Sequence, residues 1–177
     1  LILLAWTLLP AAGGQPEDST SQGCRLARGK IDQVRIGLLG PFEVRTDGGD
    51  VVDVPGARLR GLVTALALDA GHVVPKATLV DWIWADRPPA DATNALQRLV
   101  SRLRKALPDG TVEGHTDGYR LAVEPDGVDA VRFERLLGRA RSDGDPRRLR
   151  EALALWRGAA LQDVGLLDNV IDLFFGH

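Results

Sequence analysis

One cysteine, Cys24, and no methionine stand among the 177 residues. A single thiol excludes an internal disulfide and a cysteine-based zinc site. With no methionine even at position 1, the sequence is expected to begin inside a longer reading frame or after a processing step. Lysine is nearly as scarce: Lys30, Lys76 and Lys105 are the lysines among 22 basic residues, so arginine carries the positive charge. Its planar fork can hold a phosphate or a guanine edge through two parallel hydrogen bonds. A net charge of −2 excludes a general attraction of the whole chain to nucleic acid or anionic lipid, so any DNA-binding surface has to be local. Long apolar runs are missing too. Leu1 to Leu9, with Thr7 inside it, is about half of the roughly 20 residues a membrane span needs, so no membrane partner is expected. Enzyme constellations are absent. His72, His115 and His177 have no cysteine partner and no His-x3-His spacing, and neither a Gly-x4-Gly-Lys phosphate loop nor a Gly-x-Ser-x-Gly elbow occurs. The expectation is a non-enzyme with no catalytic residue, no metal and no cofactor.

What is present, 45% hydrophobic and 26% charged residues, suits a globular protein of one mid-sized domain or two small ones. Leu1 to Leu9 is followed by Pro10-Ala11-Ala12-Gly13-Gly14, which superficially resembles the core and cleavage region of a secretory signal, but no basic residue precedes it. A targeting segment and translated upstream sequence both stay open. Residues 11–29 are rich in Gly, Ser, Gln, Pro and charge, so residues 1–32 read as a disordered or non-native leader, with folded structure from about Gln33. Three short β-prone runs follow, Val34 to Leu39, Phe42 to Arg45 and Val51 to Val54. Gly40-Pro41 and Asp47-Gly48-Gly49-Asp50 separate them, which predicts a small antiparallel meander. The period then becomes helical. Leu59, Leu62, Val63, Leu66 and Ala70 make an apolar stripe that Gly71 can end. Pro75 suits the first turn of a second helix carrying Leu79, Ile83 and Trp84, which has to stop before Pro88-Pro89. Trp82 and Trp84 alternate on it, so one is expected in the core and the other against a loop.

Ala92 to Leu107, with Asp91 as N-cap, is the most informative segment. On a helical wheel Leu96, Leu99, Val100, Leu103 and Leu107 fall within about 100°, while Asn94, Arg98, Ser101 and Lys105 fall within about 60° on the opposite side. Gln97 and Arg102 flank that polar strip. Arg98, Arg102, Arg104 and Lys105 against Asp91 alone give this helix a net charge of +3. Pro108-Asp109-Gly110 ends it. Thr111 to Glu113 and Tyr119 to Val123 then flank Gly114 to Gly118, a hairpin pattern with Asp-Gly in the loop. Two further amphipathic helices carry Phe133, Leu136, Leu137 and Ala140, then Leu149, Ala152, Leu153 and Trp156, joined by a turn at Ser142 to Pro146. A helix pair cannot bury both stripes alone, so it reads as the start of a longer helical domain.

Sheet, helix, helix, basic helix and hairpin is the order of a winged helix-turn-helix. This is an α+β fold whose third helix can enter the major groove while the hairpin tip reaches the minor groove. Arg58 to Leu66 with Gly71, Leu79 with Trp84 and Pro88-Pro89, Ala95-Leu96-Gln97 with Val100 to Leu107, and Gly118 to Leu121 resemble the OmpR/PhoB-type DNA-binding domain. They resemble in particular that domain in the actinobacterial antibiotic regulatory proteins. Val128 to Glu134 and Ala152 to Gly158 resemble the all-helical, TPR-like bacterial transcriptional activator domain that follows it there. The likeness runs from about Val34 to Val164 and is lost from Gly165 to His177.

The resemblance implies a winged-helix domain over 33–124 with an N-terminal antiparallel sheet and a C-terminal hairpin wing, then a truncated helical domain over 128–177. It implies a cytoplasmic, sequence-specific activator of a specialised-metabolite gene cluster, bound to a direct-repeat operator in double-stranded DNA by two or more protomers. RNA polymerase would be touched through the helical domain or the connector Ala85 to Ala90. Residues 1–33 carry no receiver-domain pattern, so phosphorylation-driven dimerisation is not expected from the sequence given. Asn94, Arg98 and Arg102 are expected at base edges, with Gln97 beside them and Arg102 able to go either way. Ser101, Arg104, Lys105 and Arg120 are expected on phosphates. His115 joins the DNA contacts at the wing tip, although it stands where these proteins often carry an arginine for the minor groove. The rival reading is a helical protein-interaction module that does not bind DNA.

Overall fold

The computed structural model describes residues 34–85, 87–161 and 163–164. The leader with its apolar opening, Asp86 of the connector, and Gly165 to His177 lie outside the described residues. β1 (Val34–Gly37) and β2 (Glu43–Thr46) pair antiparallel with Ile36 opposite Val44, which turns Val34, Ile36 and Val44 inward. The third strand expected of the meander is reduced to one bridge between Arg45 and Val51, helped by the Val52 N–H donating to the Val44 carbonyl at 2.8 Å. Pro55 lacks an amide and Gly56 takes φ +89, so the chain turns into the next helix before pairing can extend.

α1 (Ala57–Leu68) is the central helix, with the expected Leu59, Leu62, Val63 and Leu66 buried and Thr64, Ala65 and Ala67 buried beside them. Next comes an element the periodicity did not reveal, the three-residue strand β3 (Val73–Pro75). Pro75 therefore ends a strand and flanks α2 (Lys76–Trp84) instead of occupying its first turn. α2 buries Leu79 and Ile83, whereas Trp82 and Trp84 are both half-buried at the edge of the core rather than divided between core and loop. α3 (Ala92–Ala106) lays Leu96, Leu99, Val100 and Leu103 inward as expected. The hairpin of β4 (Val112–Gly114) and β5 (Gly118–Leu121) follows, and β3 adds to it in the order β3-β5-β4. Pro75 sits opposite Gly118, where a Cβ would lie 2.0 Å from the Val74 carbonyl oxygen, so this pairing demands glycine.

A short 3₁₀ turn (Pro125–Gly127) leads into α4 (Asp129–Asp143) and α5 (Pro146–Leu153). Gly144 at φ +69 closes α4, and Asp145 caps α5 by accepting the Arg147 N–H at 2.9 Å. α5 stops short of Trp156, which packs edge-on against Phe133 with ring centroids 5.6 Å apart. The seam of the pair buries Leu136, Ala140 and Ala152, while Leu149, Leu153 and Trp156 stay 42%, 65% and 43% exposed.

This helical pair is fastened to the N-terminal sheet. The Asp129 carboxylate accepts the N–H groups of Leu38 and Leu39 at 2.7 and 3.0 Å. From the far end, the Arg157 N–H donates to the Leu39 carbonyl at 2.7 Å, and its guanidinium reaches Glu43 at 3.1 Å and Asp129 at 3.3 Å. The Leu161 N–H donates to Leu38, and Val128, Leu161 and Val164 join the apolar cluster that holds Ile36, Leu38 and Leu62.

Candidate nucleic-acid interface

The surface of α3 is set by its cap. Asp91 accepts the Asn94 N–H at 3.0 Å, and its second carboxylate oxygen takes the Asn94 side-chain amide. Those two bonds, the backbone one first, hold the Asp91 carboxyl below the ordinary aspartate range, and Arg98 adds a smaller push in the same direction. Asn94 is thus turned toward its own helix start, so its amide is already engaged on the strip assigned to base edges. With the leucine face buried, Gln97, Arg98, Ser101, Arg102, Arg104 and Lys105 are all exposed on the rest of the helix.

The hairpin divides that exposed surface. Arg104 donates from Nε to the Val112 carbonyl at 3.1 Å, tying the last turns of α3 to β4. Gln97, Val100, Ser101, Arg104 and Lys105 line one side of a shallow groove whose other wall is Tyr119 of β5. Tyr119 itself is buried, a hairpin anchor with its ring in the core cluster. The side chains of Arg102 and of Lys105 at the groove make no hydrogen bond or ion pair among the described residues. They and Arg98 remain the cations available to an external anion.

In the wing, Arg120 is bound to Glu113, Nε donating at 3.0 Å and a terminal nitrogen making a second, closer contact. His115 Nε2 lies 3.7 Å from the same carboxylate. Two of the nine assigned residues therefore share one acid, which lowers the positive charge of the wing. Lys76 was not singled out by the sequence. Its N–H donates to the Asp117 carbonyl at 3.0 Å and its Nζ to the Thr116 carbonyl at 2.8 Å, so the start of α2 grips the wing loop and adds a cation to it. The signal was faint: a lone lysine at a helix start, in a chain with three.

A family model described as "Transcriptional regulatory protein, C terminal" matches residues 56–121, from the turn before α1 to the end of β5. Transcriptional regulator RedD of Streptomyces coelicolor is 39% identical over 148 residues, covering 75% of this chain and 41% of RedD. Regulatory protein DnrI of Streptomyces peucetius is 34% identical over 149 residues, covering 74% of this chain and 54% of DnrI. The solved structure of Mycobacterium tuberculosis EmbR in complex with a low-affinity phosphopeptide superposes with a TM-score of 0.64 at 29% identity, over 75% of this chain and 38% of EmbR. Over the matched part the chain is similar to these actinobacterial regulatory proteins. It spans about half the length, or less, of the curated regulators it matches. The matched segment is the winged-helix part of the chain, and α3 with the β4–β5 wing is its exposed basic edge. No described helix is long and apolar enough to cross a membrane.

Proposed function

We propose that this chain is a sequence-specific transcriptional regulator that binds double-stranded DNA through α3, and that it activates a specialised-metabolite gene cluster from the cytoplasm without catalysis or cofactor. One observation carries the reading. A 15-residue helix exposes Arg98, Arg102 and Lys105 on one side, buries leucines on the other, and is braced by the wing through Arg104. Such a helix can lie in the roughly 12 Å wide major groove with its cations at bases and phosphates. Arg98 and Arg102 then reach base edges, with Asn94 reaching one by releasing Asp91. Gln97, Ser101 and Lys105 meet the groove wall and the backbone, Arg104 and Arg120 hold the wing, and His115 and Lys76 approach a neighbouring phosphate. DNA binding is assigned to 33–124. Contact with RNA polymerase and with further protomers on a direct repeat is assigned to 128–177 and the connector 85–90.

Binding of the chain to its operator across a salt series tests this. Neutralising four or five phosphates gives a slope of log K against log salt of about −4. A slope near zero sinks DNA binding and leaves the helical interaction module.

A further inference from the structure

The wing is acidic where α3 is basic. From Val112 to Leu121 its charged residues are Glu113, Asp117 and Arg120, a net of −1 with His115 neutral, while α3 with its cap carries +3. Arg120 is the one arginine of the hairpin, and strand register fixes its neighbours. On the central strand β5 it stands opposite Val73 of β3 on one side and opposite Glu113 of β4 on the other. Side chains directly opposite each other share a face of the sheet. Tyr119 and Leu121, before and after Arg120, are buried, so this face is the outer one.

Of the two neighbours, the carboxylate is the one that can accept from a guanidinium. Glu113 takes Arg120 through Nε at 3.0 Å and through a terminal nitrogen in a closer contact. The same carboxylate lies 3.7 Å from His115 Nε2. A DNA phosphate would have to compete with Glu113 for the Arg120 donors, and the fixed negative charge repels that phosphate as well. Both side chains are about one-third exposed, so water reaches the pair and keeps it weak.

We propose that Glu113 limits the DNA affinity of the wing by holding Arg120 back from the phosphate backbone. This rests on the reading of the chain as a DNA-binding regulator. Because phosphates carry no sequence information, the limit acts on every duplex alike. The full chain is therefore titrated into a labelled duplex of mixed sequence across a salt series, beside three variants. Glu113→Gln keeps the size of the side chain and removes its charge. It binds about three- to fivefold more tightly, the range set by a weak, partly exposed ion pair, and its salt slope is steeper by about one unit as Arg120 meets one more phosphate. Glu134→Gln makes the same change of net charge on α4 and leaves affinity and slope at the wild-type values. Glu113→Gln with Arg120→Gln returns both to wild type.

Weaker binding by Glu113→Gln means that the acid aligns Arg120 for a phosphate, and overturns the proposal. Unchanged binding overturns it too, as does an equal gain from Glu134→Gln or a gain that survives Arg120→Gln. All of these are read against a wild-type slope of about −4. A wild-type slope near zero removes the DNA-binding reading itself, and the proposal with it. Loss of fold cannot imitate the expected result, since an unfolded wing does not bind more tightly.

Discussion

Arg98 and Lys105 sit on one helix yet are expected to do different work. Arg98 faces the middle of the polar strip, where losing a bidentate guanine contact costs about 1–3 kcal/mol and relaxes preference at that base pair. Lys105 lies at the last turn, so Lys105→Ala is expected to weaken operator and scrambled DNA alike and to reduce the salt slope by about one unit. Titrating both variants against both DNAs checks the division. Equal weakening of the two DNAs by Arg98→Ala removes its base-reading role. Asp91 carries a pH signature. Its folded-state carboxyl is depressed, so the cap contributes stability above the ordinary aspartate pKa, about 3.9, and loses it as pH falls through the lowered value. Asp91→Asn is expected to flatten that acid limb of the thermal melting curve while leaving the neutral limb close to wild type. The leucine and arginine faces of α3 were legible from spacing alone, since burial follows the 3.6-residue period. Hydrogen bonds from Asn94 to Asp91 and from Arg120 to Glu113 were not, because spacing does not say which polar neighbour a side chain chooses.

Among the elements, strand β3 was hidden for a physical reason. Three residues, one of them proline, are too few to show a period of two, and what stabilises the strand is the distant β5, whose Gly118 lets the backbones close. The wing, by contrast, was readable from Asp117-Gly118 and its β-prone flanks, and its order relative to α3 followed. What links them is Arg104. Arg104→Ala removes a hydrogen bond worth about 0.5–1.5 kcal/mol, so amide exchange at Val112 to Gly114 is expected to speed up several-fold while Leu96 to Val100 exchange as before. Unchanged wing exchange rejects Arg104 as the brace. At the other end of the reading motif, Ala85 holds φ 49 where α2 ends, a conformation that costs a side chain of order 1–3 kcal/mol. Ala85→Gly is expected to raise the unfolding midpoint; a lowered midpoint contradicts strain at this position.

For the molecule as a whole, the fastening of α4 and the 157–161 segment to the N-terminal sheet decides how motion is shared. The apolar stripes announced a helical pair after the winged helix, and the exposed Leu149, Leu153 and Trp156 agree with stripes that the pair cannot bury alone. Its attachment was not legible, since nothing in the spacing of Asp129 and Arg157 shows that the fold brings them against Leu38, Leu39 and Glu43. A Cβ on Gly37 would lie 2.1 Å from the Arg157 guanidinium, the far end of a flexible side chain, so Gly37→Ala is expected to push that group off Glu43 and Asp129, with the loss of those contacts as its cost in the natural background and none of that cost in Arg157→Ala. Denaturant midpoints of the two single variants and the double variant measure that coupling, expected at about 0.5–3 kcal/mol. Additive effects would mean that Arg157 does not lie under the sheet.

Glu43 and Arg157 are 114 positions apart in the chain. At a synthesis rate of about 5–20 residues per second, Glu43 is added roughly 6–23 s before the Arg157 side chain that locks the β1–β2 hairpin has been made. During that interval the hairpin has no Asp129 to satisfy the Leu38 and Leu39 amides and no Arg157 against its glycines, and an isolated two-stranded hairpin is marginal in water. These two strands are therefore among the last parts of the described fold to be secured. α1, α2, α3 and the wing, whose contacts are nearer in sequence, can assemble while the N-terminal hairpin waits.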